Sequence, residues 1–446
     1  MMFMKSGIST LLKPRDPVRM VVWGYATYMI IGWLFLCMPF SVTGAPAGAI
    51  DHLFTAVSAV STTGLITVST PDTYSRCGQI AIAVLIQFGG LGYMTIGSFL
   101  LLSFGRRLAM VRNRVSQVAL SAPEGVPIQN FVRSIVVFTL LIEAVGAVAL
   151  YSILSARGMQ DAWWSATFHS ISAFCTAGFA LYNDSFMAFR GNVWLNVTIA
   201  SLSYLGAMGF ILLNDVVQRA MRHKIRLSLS SRVILWCTLL TGVMATALLV
   251  ADEPSLRDLP IGERILAAFF QSMSAGTTVG FNTVDIAGLS AGSVFLITIV
   301  MIIGASPAGT GGGIKTTTLA ALWANMISVF KGRDRTNFGD RELPLERVRL
   351  AMASAMFYLV VLTAGIYALS LVESSPLPDQ MFECASAIGT VGLSRGITPN
   401  LTFVGKCIII LLMFAGRVGP LALALTLLRP SQRLPEFYYP REDIAI

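Results

Sequence analysis

The chain has 446 residues, 55% of them apolar and only 12% charged, and its mean hydropathy is +0.71. A soluble fold carries roughly 25% charged residues to coat its surface, so a soluble enzyme and a disordered chain are both excluded. The net charge of +9 would suit nucleic acid, but no basic segment outside the apolar runs is large enough to form a binding domain.

In chain order, the long apolar runs are Val21–Phe40, Ile80–Phe104, Ser134–Leu154, Val193–Val217, Val233–Val250, Ser293–Leu322, Leu350–Val372 and Phe403–Leu428. Each can cross a hydrocarbon core of about 30 Å, so the sequence predicts an all-α polytopic membrane protein with eight crossings. The first run follows Lys5, Lys13, Arg15 and Arg19 and exceeds the apolar core of a cleaved signal peptide, so it reads as a retained span. With both termini inside, about 23 of the 32 lysines and arginines fall in inner segments, as the positive-inside bias requires. Those segments are Lys5–Arg19, Arg106–Arg133, Arg219–Arg232, Lys331–Arg349 and Arg429–Arg441; Lys315 and Arg417 belong to neither side and fall inside apolar runs. The six cysteines form no CxxC pair, and His52, His169 and His223 are scattered, so neither a metal site nor a disulfide framework is indicated.

A shorter stretch between the members of each pair of runs repeats four times. Phe54-TAVSAVSTTGL, Phe168-HSISAFCTAGF, Phe270-QSMSAGTTVGF and Phe382-ECASAIGTVGL fit one template, F-x3-S-A-x2-T-x-G-[LF]. Its glycines, Gly64, Gly178, Gly280 and Gly392, are spaced by 114, 102 and 112 residues. The residues before each glycine suit a short helix packed among spanning helices. Asp51 and Asp379 lie near the start of two such helices, with Asp161 and Glu263 a turn or more upstream of the others, where carboxylates favour the helix dipole.

Glycine at the fixed position permits φ > 0, so successive carbonyls can turn toward a common axis. Four such segments around one axis form a carbonyl ring able to replace a cation's hydration shell. Close packing of small residues is the competing reading, but it does not explain one phased template used four times. Asp72, Asp184 and Asp285 follow the first three glycines and serve equally well as an acidic outer mouth or as turn and cap residues.

Two places in the later spans are irregular. Gly304, Ala305, Ser306, Pro307, Ala308, Gly309, Thr310, Gly311, Gly312 and Gly313 cannot continue a helix, so the third repeat's second span is broken, at a level suited to a gate below the ring. Gly309-TGGGI-Lys315-Thr316 imitates a phosphate-binding loop, but Ile314 stands where glycine is needed and no strand precedes it, so Lys315 is expected to anchor the loop or to snorkel. Arg417, near the middle of the last span, is expected either to act as an electrostatic barrier in a pore or to pair with Glu143.

These features resemble the superfamily of potassium transporters that contains bacterial TrkH and KtrB and the plant HKT proteins, over about Val21 to Leu428; the start of the first repeat by Val21 looks like KtrB. The resemblance implies four helix–pore loop–helix repeats in pseudo-fourfold array around one central pore: 21–104, 131–219, 231–330 and 347–428, between cytoplasmic segments 1–20 and 429–446. It implies that Ser61, Thr62, Thr63 and Gly64, Cys175, Thr176, Ala177 and Gly178, Thr277, Thr278, Val279 and Gly280, and Gly389, Thr390, Val391 and Gly392 bind potassium. It places an intramembrane gate at Gly304–Thr318, including Lys315, with Arg417 below the filter. It also implies a homodimer in the bacterial cytoplasmic membrane on a cytosolic ring of KtrA- or TrkA-type subunits. The basic loops Arg106–Arg114 and Arg219–Arg232 are plausible docking surfaces for that ring. Nucleotide would bind only that partner, sodium would act as an activator, and no cofactor or enzymatic activity is expected in this chain. The alternative is a sodium- or proton-coupled secondary cation carrier; such carriers usually need intramembrane acids, for which only Glu143 and Asp215 qualify here.

Overall fold

In lipid every backbone N–H and C=O must find a partner inside the chain, so apolar runs of this length close into helices. The computed structural model describes residues 17–44, 46–92, 128–220 and 226–427. Among these, regular structure is helical except for one small antiparallel hairpin, Asn337–Phe338 with Arg341–Glu342. The expected inner segments 1–16, 106–114 and 429–446, and residues 93–104 of the second run, lie outside the described residues, as do residues 221–225.

Four similar units follow one another. The first comprises α1 (Pro17–Leu36), α2 (Ala49–Ser61) and α3 (Arg76–Leu91); the second, α4 (Ile128–Ala156), α5 (Ala162–Phe174), α6 (Val193–Ala207) and α7 (Gly209–Ala220). The third comprises α8 (Leu229–Asp252), α9 (Ile261–Thr277), α10 (Ala291–Ile303) and α11 (Thr316–Phe330). The fourth comprises α12 (Leu345–Ser370), α13 (Leu377–Gly389), α14 (Phe403–Val418) and α15 (Pro420–Leu427). The helices α4, α8 and α12 are long and apolar enough to cross a membrane unbroken. Their outer faces carry large exposed apolar side chains, such as Val137, Leu140, Leu141, Val145 and Val148 at helical spacing on α4. Such a stripe is a lipid-facing surface when hydrocarbon is the solvent. The short helices α2, α5, α9 and α13 lie inside, with Phe54, Phe168, Phe270 and Phe382 each at most 1% exposed.

Two expectations are corrected. Only the third unit's second span was expected to break, yet the helical run after the template has a glycine of positive φ at or just beyond its end in all four units: Gly92 (80°), Gly209 (81°), where α7 begins, Gly304 (65°) and Gly419 (90°). In the second unit α6 and α7 meet at 97°. Secondly, the inner helices begin earlier than the sequence suggests. Asp161 stands at the N-terminal boundary of α5 without a side-chain cap bond, and Glu263 sits in the first turn of α9, rather than a turn or more upstream. Asp51 and Asp379 occupy the first turns of α2 and α13, and the Asp51 carboxylate accepts the Gly48 N–H at 3.0 Å.

Candidate functional site

The four template segments adopt one conformation. Each inner helix ends at a threonine in the left-handed region, Thr62, Thr176, Thr278 and Thr390, with φ of 54°, 51°, 60° and 49°. Two residues on, Gly64, Gly178, Gly280 and Gly392 have φ between 67° and 93°. The turn is held from inside the helix. The N–H of Thr63, Ala177, Val279 and Val391 donates to the carbonyl of the template serine at 2.8 to 3.0 Å. The hydroxyls of Ser58 and Ser386 accept the N–H of Gly64 and Gly392 at 3.0 Å, and that of Ser274 donates to the Phe281 carbonyl at 2.6 Å. The template serine is thus explained by the turn in three units; the Ser172 hydroxyl of the second makes no such bond.

The segments close on one another in a ring. A methyl group on Gly64 would strike the Ala177 carbonyl oxygen; on Gly178, that of Val279; on Gly280, that of Val391; on Gly392, that of Thr63. Each carbonyl one residue before a ring glycine therefore lies against the preceding segment's glycine, and the fourth returns to the first. No side chain fits between the segments at these four positions.

Beneath the ring lies the Gly-rich loop between α10 and α11. Its backbone is sewn to the break between α6 and α7: Ser306 N–H to Ala207 O at 3.1 Å, Thr310 N–H to Gly206 O at 3.2 Å, and Phe210 N–H to Ala308 O at 3.1 Å. It reaches all four template threonines. The Thr62 hydroxyl is 3.4 Å from the Thr310 carbonyl, the Thr176 and Thr310 hydroxyls are 3.0 Å apart, and Thr278 accepts the Gly312 N–H at 3.2 Å. A side chain on Gly312 would collide with the Thr390 hydroxyl. Lys315 Nζ donates to the Gly311 carbonyl at 2.6 Å, anchoring the loop, and Ser306 and Thr310 are fully buried.

Arg417 lies in the last turn of α14, not in mid-span, because α14 ends at Val418. Its guanidinium donates to the Thr62 hydroxyl at 2.9 Å, to the carbonyls of Thr310 and Gly89, and to that of Gly90 at 3.3 Å, with the Tyr25 ring 5.8 Å away. Glu143 bonds instead with Gln87 Nε2 at 2.6 Å and lies 3.7 Å from Cys175 Sγ.

Residues 34–436 match the family model of TrkH, described as a cation transport protein. The chain belongs to the TrkH family. It is 34% identical over 421 residues to the Ktr system potassium uptake protein B of Bacillus subtilis (strain 168), covering 93% of this chain and 94% of that one. It is 35% identical over 432 residues to the protein of the same name from Vibrio alginolyticus, covering 96% and 94%. The crystal structure of the potassium transporter TrkH from Vibrio parahaemolyticus shares the fold, with a TM-score of 0.74 at 20% identity over 94% of this chain and 86% of that one. TrkH-family proteins are cation transporters, not enzymes.

Within this TrkH-family chain, every residue singled out for the filter lies in one of the four ring segments, and the Gly-rich loop and Arg417 meet directly below them. Sequence reasoning missed Gly89, Gly90, Gly206 and Ala207, which supply the carbonyls that receive Arg417 and the loop. Recurrent glycines 24 to 31 residues after each ring glycine were the available signal. Outside the ring, Asp285 caps the Ala287 N–H at 3.0 Å, while hydrogen bonds from Ser69 and Asn183 hold the Asp72 carboxyl below the usual range. No cluster of three metal-ligating side chains occurs among the described residues.

Proposed function

We propose that this chain is the potassium-conducting subunit of a Ktr-type uptake system in a bacterial cytoplasmic membrane, with both termini cytoplasmic. The observation that carries the reading is the closed ring in which each glycine admits its neighbour's carbonyl oxygen and nothing larger. A ring of backbone carbonyls from the four segments would exchange for the water around a bare cation. The names of the relatives, potassium uptake proteins at 34–35% identity over nearly the whole chain, support potassium as the ion.

In this reading the filter is Ser61–Gly64, Cys175–Gly178, Thr277–Gly280 and Gly389–Gly392, one stretch from each of the units 21–104, 131–219, 231–330 and 347–428. The loop 304–313, tied by Lys315 and by Arg417, is the gate in this reading, and the bonds that hold it below the ring support that role. A homodimer on a cytosolic nucleotide-binding ring would act on that gate from below, with sodium as a stimulant.

The test is potassium uptake into potassium-starved cells that lack their own uptake systems, with and without a ring subunit. The wild type should restore uptake with preference over sodium. Gly64→Ser, whose Cβ would lie 2.5 Å from the Ala177 oxygen at a φ of 93°, should lose that preference. Equal uptake and equal preference in both proteins would remove the filter reading.

A further inference from the structure

Three inner-helix side chains make the same contact at the same place in their units. The residue directly after the template phenylalanine is His169, Gln271 or Glu383, and the residue three after the ring glycine is Leu181, Thr283 or Arg395. His169 Nε2 accepts the Leu181 N–H at 3.1 Å, Gln271 Oε1 the Thr283 N–H at 3.0 Å, and Glu383 Oε1 the Arg395 N–H at 3.0 Å. These side chains are 1%, 2% and 0% exposed.

The template leaves this position open because its chemistry changes from imidazole to amide to carboxyl. What repeats is an acceptor atom at one height. The His169 Nδ1 proton is committed to the Ser165 carbonyl at 2.8 Å, which leaves Nε2 free to accept. Glu383 also accepts the Ser394 and Thr398 hydroxyls, at 2.5 and 2.8 Å. The first unit differs: the shorter Thr55 donates its hydroxyl to the Asp51 carbonyl at 2.9 Å.

Beyond the ring glycine the chain is neither helix nor strand, and a buried N–H there would have no partner of its own. The template serine holds each ring segment at its base, and the acceptor holds it at its outer end. A segment pinned at both ends cannot widen or turn its carbonyl aside.

We propose that His169, Gln271 and Glu383 are positioning residues that hold the outer ends of three ring segments and so set the preference for potassium over sodium; the proposal rests on the filter reading above. The requirement is for an acceptor, whatever its charge.

The test measures how sodium competes with rubidium uptake by the full chain in the same starved cells, normalised to the amount of protein in the membrane. Gln271→Glu and Glu383→Gln each install the acceptor of the other unit, and should keep the preference within about twofold of wild type, whereas Gln271→Leu and Glu383→Leu should lose it by about tenfold. Leucine variants that keep the preference overturn the proposal, as do exchanges that lose as much as leucine. Where the leucine variants fail to reach the membrane, Gln271→Asn, one methylene too short to reach Thr283, takes their place and must show the same loss. A wild type without preference removes the filter reading itself, and that is read from the wild-type arm alone.

Discussion

At the residue scale, the most demanding positions are the four threonines with positive φ. A β-branched residue held there costs about 1–3 kcal/mol, and strain of this kind persists only where its surroundings over-determine it. Each threonine N–H is bonded back to the helix, and each hydroxyl faces the loop below the ring. Arg417 then fastens that loop to α3 and to Thr62 through one planar guanidinium. Its partners are carbonyls and a hydroxyl rather than an acid. If Arg417 holds the loop as a gate, as proposed, replacing it by Gln removes charge-assisted bonds to that loop and should raise maximal potassium uptake by about tenfold. Arg417→Lys should fall between, because one ammonium cannot span Gly89 and Thr310 together. Transport curves over a range of external potassium decide this; an unchanged maximal rate in Arg417→Gln would show that Arg417 is no part of the barrier.

At the element scale, the inner helices were legible and the breaks beside them were only partly so. The template announces four short helices because six positions recur in phase. Their early starts were obscured because Asp161 and Glu263 could be read as standing before the helix, whereas they stand at its N-terminal boundary and in its first turn. The breaks at Gly92, Gly209 and Gly419 were hidden inside apolar runs long enough to pass as continuous spans. Their cause is tertiary: a side chain on Gly89, Gly206 or Gly416 would strike the carbonyl of Val60, Phe174 or Ile388 on an inner helix. Close approach of that kind cannot be seen in hydropathy. The loop of the third unit was legible because five glycines and a proline leave no helical alternative. Lys315 holds this loop to the start of α11. Lys315→Met keeps the length of the side chain and removes the donor to Gly311 and Gly312, so it should raise uptake in the absence of a ring subunit by about tenfold, the low end for hydrogen bonds to a charged group. Uptake by Lys315→Met that still depends fully on the ring subunit would assign Lys315 to packing alone.

At the scale of the whole molecule, the four units close on one another, and ion pairs lie at three of their seams. Arg76 at the start of α3 meets Asp161 of the second unit at 2.6 Å. Arg190 before α6 lies 3.8 Å from Glu263 of the third, and Lys406 in α14 meets Asp51 of the first at 2.7 Å. At the remaining seam Asp379 pairs within its own unit, with Arg395 at 2.5 Å. These pairs differ in burial, and burial decides what each contributes. The side chains of Arg76 and Asp161 are 45% and 73% exposed, a setting in which ion pairs contribute about 0–1 kcal/mol. Those of Lys406 and Asp51 are 14% and 13% exposed, and this pair joins the last unit to the first. Removing one partner strands the other charge in a poorly solvated place, at a cost of about 3–5 kcal/mol. Lys406→Met should therefore lower the unfolding temperature of the detergent-purified protein sharply, while Arg76→Met leaves it nearly unchanged. The double variant Lys406→Met with Asp51→Asn removes the stranded charge and should recover most of the loss. If the double variant were as unstable as Lys406→Met alone, the closing seam would be held by packing of α14 on α2, and the pair would only accompany it.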